Sequence, residues 1–233
     1  MSGSSLVTVA GVVLWVALVV MAQLLTPEQD ALSMGLSGLA TGRYGWLMKL
    51  AYLVRAIIAT TLVAAVAAGV HASWPLFVGL IFIAVWGICS VLLALFDTDM
   101  PGDAPTSHGA AHALIAAAGY VAAAVGMLLV SWGLRDDGTT AGLARWALPI
   151  ALLAAVALVA QFAGFGAAAR AAAADSDEGE RLSAAAGLAA APSAAGAPVA
   201  LAPPTGLARY AGLLQRVFLG LVMLWTVVVA VGL

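Results

Sequence analysis

Residues 76–95 read LFVGLIFIAVWGICSVLLAL, twenty residues without one charged side chain. An α-helix rises about 1.5 Å per residue, so a run of this length covers the roughly 30 Å hydrocarbon core of a bilayer. Five further runs of the same kind flank it: Leu6–Leu25, Trp46–Val70, Gly109–Trp132, Trp146–Phe165 and Tyr210–Val231. The pattern predicts an all-α integral membrane bundle of six transmembrane helices. Trp46, Trp74, Trp132 and Trp146 fall at the ends of these runs, where interfacial aromatics belong. Small residues such as Ala116, Ala117, Ala118 and Gly119 lie inside them, and these let helices approach closely in lipid.

Composition agrees. The chain is 64% hydrophobic and 9% charged, with mean hydropathy +1.09, against about 25% charged residues in a soluble domain. A water-soluble fold has too little interior to hide that much apolar surface. The net charge of −2 and the absence of a basic stripe argue against a nucleic-acid partner. The single cysteine, Cys89, excludes a disulfide within the chain and a cysteine metal site. The first run has no Lys or Arg before it, so it reads as a retained helix and not as a cleaved leader.

The organisation expected is five helices of one bundle over residues 1–165, an Ala/Pro/Gly-rich linker over 166–208, and a sixth helix over 209–233. The linker opens on an Ala-rich stretch able to prolong helix five into water. It then passes the acidic cluster Asp175, Asp177, Glu178 and Glu180. Its composition is that of a tether. The membrane face holding loops one, three and five is called face A, and the opposite one face B. Face A carries Arg43, Lys49, Arg170, Arg181 and Arg209, and face B carries Arg135 and Arg145. With basic residues inside, face A is cytoplasmic and both termini are extracytoplasmic.

Ionisable groups within a bilayer are costly and mark function by default. Arg55 lies nine residues into the second run from face A, roughly 13 Å deep at 1.5 Å per residue. Arg216, Gln215, Gln161, Gln23 and His112 also lie in the face-A half. This shared depth predicts a polar cavity opening to face A. Arg55, Gln161, Gln215, Arg216 and His112 would line it, and Asp97, Asp99 and Arg43 would rim it. Arg55 then takes either a carboxylate from Asp97 or Asp99 or an anionic ligand. Snorkelling of the long Arg side chains to the headgroups is the plainer alternative.

The densest motif is Phe96-Asp97-Thr98-Asp99, followed by Ser107-His108-Gly109-Ala110-Ala111-His112. Thr106 or Ser107 suits the N-cap of the fourth helix. His108 and His112, four apart, share one helix face. With Asp97 and Asp99 they make a candidate metal-ligand set of the kind that suits Zn²⁺. The same residues also serve as interfacial hydrogen-bonding groups. A shared helix face is wrong for bis-imidazole haem, which needs histidines from facing helices. His71 lies on face B, out of reach of the other two. No GxSxG, HExxH or nucleotide-binding loop is present, and no catalytic residue is assigned.

With Gly42-Arg43-Tyr44-Gly45-Trp46, these two elements resemble the domain-of-unknown-function 998 family, multi-pass membrane proteins of bacteria and archaea. The resemblance runs from about Ser4 to Trp132. Phe96, Thr98, Asp99, His108, Gly109 and His112 match the family's FxTD and HGxxH elements, and the long linker departs from it. The resemblance implies a prokaryotic plasma-membrane protein and singles out Asp99, His108 and His112, but it implies no activity. Two functions stand at this point. One is binding of an anionic membrane lipid or amphiphile, or service as an accessory subunit of a larger membrane complex. The other is metal-dependent hydrolysis of lipid esters or amides.

Overall fold

A computed structural model describes residues 2–100, 104, 106–185 and 206–233. Among the described residues, six α-helices are each long and apolar enough to cross a membrane. They are α1 (Gly3–Leu25), α2 (Gly45–Gly69), α3 (Trp74–Leu95), α4 (Ser107–Gly133), α5 (Ala141–Ala185) and α6 (Ala211–Gly232). The expected spans all appear, with ends shifted by a few residues. Two shifts are larger: α5 starts at Ala141 with Pro149 inside it, and it runs on to Ala185. Its alanines favour helix once the chain leaves the bilayer. The rest of the expected linker, residues 186–205, lies outside the described residues.

Each helix packs antiparallel on the next, and α6 closes the ring against α1 and α5 while also touching α2 and α4. In lipid, shape complementarity and hydrogen bonds drive this packing, since lipid tails are as apolar as leucine. The α3–α4 seam shows how. Gly119, Gly126 and Gly133 recur every seven residues, so they share one face of α4. Their missing side chains make room for Cys89, Ile83 and Leu76 of α3 in turn. From the other side, Gly79 of α3 sits against the Val130 backbone. Buried hydroxyls join other pairs: Thr8 with Thr61 across α1–α2 at 2.8 Å, and Trp225 Nε1 donating to Ser131 Oγ across α6–α4 at 2.9 Å.

Exposed tryptophans mark the interfaces, with Trp74, Trp132 and Trp146 on face B and Trp46 on face A. Arg135 and Arg145 lie over the rings of Trp132 and Trp146.

On face B a single carboxylate ties loop two to loop four. Asp137 accepts from the His71 and Thr139 backbone N–H groups at 3.0 and 2.8 Å, and from the Thr139 hydroxyl. The His71 imidazole adds a contact at 3.1 Å. The Thr139 hydroxyl, then the His71 and Thr139 N–H groups and the His71 ring, hold the Asp137 carboxyl well below the usual carboxylate range. A depressed pKa means that this contribution is complete above the unfolded value of about 3.9. It is lost as pH falls through the lower folded value. The expected result is a wild-type melting temperature above that of Asp137→Asn at pH 5, with a margin that shrinks below about pH 4. Thermal unfolding of both proteins in detergent checks it, and a margin unchanged at pH 3 would contradict it.

Candidate functional site

Arg55 is the deepest charge among the described residues and only 2% exposed. Its Nε donates to Ser90 Oγ at 2.8 Å, and Ser90 in turn donates to the Trp86 carbonyl. The guanidinium lies over the Tyr52 ring at 5.3 Å and the Trp86 ring at 5.8 Å. It also approaches the Tyr120 hydroxyl. Local spacing builds this cage. Tyr52 and Arg55 are three apart on α2, and Trp86 and Ser90 are four apart on α3, so each pair shares a helix face. No carboxylate pairs with Arg55 among the described residues. Trp86 Nε1, a buried donor on the ring that Arg55 covers, has no hydrogen-bond partner.

The sequence offers Arg55 either Asp97 or Asp99 or an anionic ligand, and the structure sends both carboxylates elsewhere. Asp97 pairs with Lys49 at 2.7 Å on the surface, where such a pair is worth about 1 kcal/mol or less. Asp99 accepts the Thr106 hydroxyl at 2.6 Å and the Thr106 N–H at 2.9 Å. These bonds, the hydroxyl's first, lower its pKa.

The FxTD and HGxxH elements clasp one another. Thr106 is the N-cap of α4, accepting from the Gly109 N–H at 3.0 Å. A Cβ at Gly109 would overlap the Asp99 carboxylate. His112 is buried, and its Nδ1 donates to the Phe96 carbonyl at 2.7 Å; a carbonyl only accepts, so Nδ1 carries the proton. His108 is exposed and stacks on the Phe96 ring, with centroids 5.4 Å apart. The arrangement joins the exit of α3 to the entry of α4. Among the described residues no three His, Cys, Asp or Glu side chains converge as a metal-ligand set. His108, His112, Asp97 and Asp99 are neighbours in sequence whose polar atoms serve three separate contacts.

The expected cavity mouth is covered by loop one. Its 3-10 helix, Leu36–Ala40, buries Leu36, Leu39 and Ala40 against α2 and α6. Gln215 Oε1 accepts from the Leu36 N–H at 2.6 Å, and its Nε2 donates to the Tyr120 hydroxyl at 2.9 Å. Arg216 donates to the carbonyls of Ala31 and Met34, both at 2.8 Å, and to Gln23 Oε1 at 2.6 Å. The Leu32 carbonyl takes the Leu213 N–H, a free donor in the first turn of α6. A Cβ at Gly212 would collide with the Met34 carbonyl, so loop one lies directly on the α6 backbone. The shared depth of Gln23, Gln215 and Arg216 thus has a structural cause: they hold the loop over the bundle end.

Gln161 is 1% exposed, and its Oε1 has no partner. It lies one turn from Gly164, which meets Ala211 of α6, and so is level with Gln215. Arg43 is set apart from Arg55. It lies over the Tyr44 ring at 5.4 Å and lines a separate pocket under loop one. Tyr52, Trp86, Ser90 and Tyr120 were not anticipated as site residues. The helical spacing of Tyr52 to Arg55 was the available signal.

Fold and site define a polytopic α-helical membrane protein with a caged, uncompensated arginine between α2 and α3. The chain belongs to the family described as "Protein of unknown function (DUF998)", whose model matches residues 9–169. The match spans α1 to the membrane part of α5 and leaves α6, with Gln215 and Arg216, beyond it. No curated protein and no solved structure matches the chain.

Proposed function

We propose that the protein binds an anionic lipid or similar amphiphile in the face-A half of the bundle, with Arg55 holding the charged group. The observation that carries this is the guanidinium buried at bilayer depth without a negative charge beside it among the described residues. Removing such an ion from water costs several kcal/mol even after relaxation. Two ring faces, worth about 2 kcal/mol each when desolvated, and the Ser90 and Tyr120 hydroxyls offset part of that. A phosphate or carboxylate would supply the missing charge, and it would also accept from the unpartnered Trp86 N–H. Loop one would have to yield at its polar contacts for entry from face A.

Native mass spectrometry of gently solubilised protein tests this. Wild type should retain an anionic lipid such as phosphatidylglycerol. Arg55→Met should lose about tenfold of that occupancy or more, since a hydrogen-bonded charge is worth about 1.5–3 kcal/mol. Arg55→Lys keeps the charge and should keep part of the binding. Lipid content unchanged in a folded Arg55→Met protein would reject the reading.

A further inference from the structure

Loop one, with Met100, lines an open pocket of about 380 Å³ at the face-A end of α1. We infer that it binds a headgroup bearing both a phosphate and a primary ammonium. Its lining includes Leu25, Glu28, Gln29, Arg43, Tyr44 and Met100. The volume falls within the range of small-molecule sites, about 300–1,000 Å³.

The lining holds charges of both signs that do not cancel one another. Glu28 and Arg43 make no ion pair among the described residues. Gln29 is 9% exposed, and its Oε1 is a buried acceptor with no partner. The identity of that atom is fixed, because Nε2 donates to the Gly38 carbonyl at 2.8 Å. A buried acceptor without a donor is a cost that a ligand N–H removes.

These groups select among headgroups. Arg43 suits a phosphate, while the Glu28 carboxylate and the Gln29 oxygen call for a cation that can donate hydrogen bonds. A primary ammonium donates three and a trimethylammonium none. The aromatic face that would suit a trimethylammonium is taken, because Arg43 covers the Tyr44 ring. A headgroup with only negative charge is repelled by Glu28. Leu24 and Leu25 of α1, 74% and 41% exposed, form an apolar surface beside the pocket along which an acyl chain can lie.

The site is independent of Arg55, and its test separates the two. The full chain in detergent is titrated with phosphatidylethanolamine and with phosphatidylcholine, and retained lipid is read by native mass spectrometry. Wild type should favour phosphatidylethanolamine by about tenfold, the worth of one charge-assisted hydrogen bond. Glu28→Gln should bring the two lipids to equal retention. Arg43→Gln should lower both, since both carry the phosphate. Arg55→Met should leave the preference in place. Soluble glycerophosphoethanolamine identifies the source. Displacement of the lipid at millimolar concentration means that the headgroup alone fills the site, and failure to displace it means that the lipid is the ligand. Equal retention by wild type, or a preference surviving in Glu28→Gln, overturns the inference.

Discussion

Gly79→Leu should abolish the folded protein. A Cβ at Gly79 would lie 2.7 Å from the Val130 backbone nitrogen and 2.9 Å from Val130 Cγ2. The nearest atom belongs to a helix backbone, so no rotamer change relieves the clash. Leucine adds three more carbons beyond that Cβ, and the α3–α4 seam must open along its length. The stripe of Gly119, Gly126 and Gly133 is matched to α3 in one register, so the seam has no alternative packing nearby. Overpacking a core commonly costs about 1–3 kcal/mol, and more where the backbone itself must move. Gly220→Leu is the control, because nothing lies within 4 Å of a Cβ there. Size-exclusion chromatography in detergent should show a monodisperse peak for wild type and Gly220→Leu, and aggregate for Gly79→Leu. A Gly79→Leu protein that melts close to wild type would refute this account of the seam.

Arg216→Met should release loop one while the six helices remain assembled. The methionine keeps much of the side-chain volume and removes every donor. The carbonyls of Ala31, Met34 and Gly212 and the Gln23 amide oxygen then lose this donor, and only the Gly212 carbonyl keeps a helical N–H. Each bond to a charged donor is worth about 1.5–3 kcal/mol, and the four are not additive because one group makes them all. A loss of about 3 kcal/mol in local stability corresponds to roughly 100-fold faster opening. Hydrogen–deuterium exchange over residues 26–44 should accelerate by that order, with the α3–α4 seam unchanged. Equal protection of the loop in both proteins would show that Leu36 and Leu39 alone hold it. The same variant bears on access to Arg55. If Arg55 holds an anionic lipid as proposed, a loop that opens more often should speed the exchange of that lipid.

The clasp between the α3 exit and the α4 entry illustrates how far a motif can be taken. Phe96, Asp99, His108, Gly109 and His112 were legible as a unit. Sequence spacing places His108 and His112 on one helix face, but it does not say that the Phe96 carbonyl takes the His112 proton or that Thr106 occupies both Asp99 oxygens. Those partners depend on how the α3 exit turns back onto α4. Hydrogen bonds to a backbone carbonyl leave no trace in residue identity.

The sequence by itself determined the class of protein, the number of spans and the depth of the embedded polar residues. Hydrophobic run length and helical rise are properties of a segment alone, and a bilayer leaves few other ways to satisfy its backbone. Tertiary structure decided which of those polar residues share a site. Equal depth does not fix the direction in which a side chain points around its helix, and that direction sets its partner. Arg55 and Arg216 looked alike in the sequence as cations in the face-A half. Packing turned Arg216 to the carbonyls of loop one and enclosed Arg55 between two aromatic rings, with no anion beside it among the described residues.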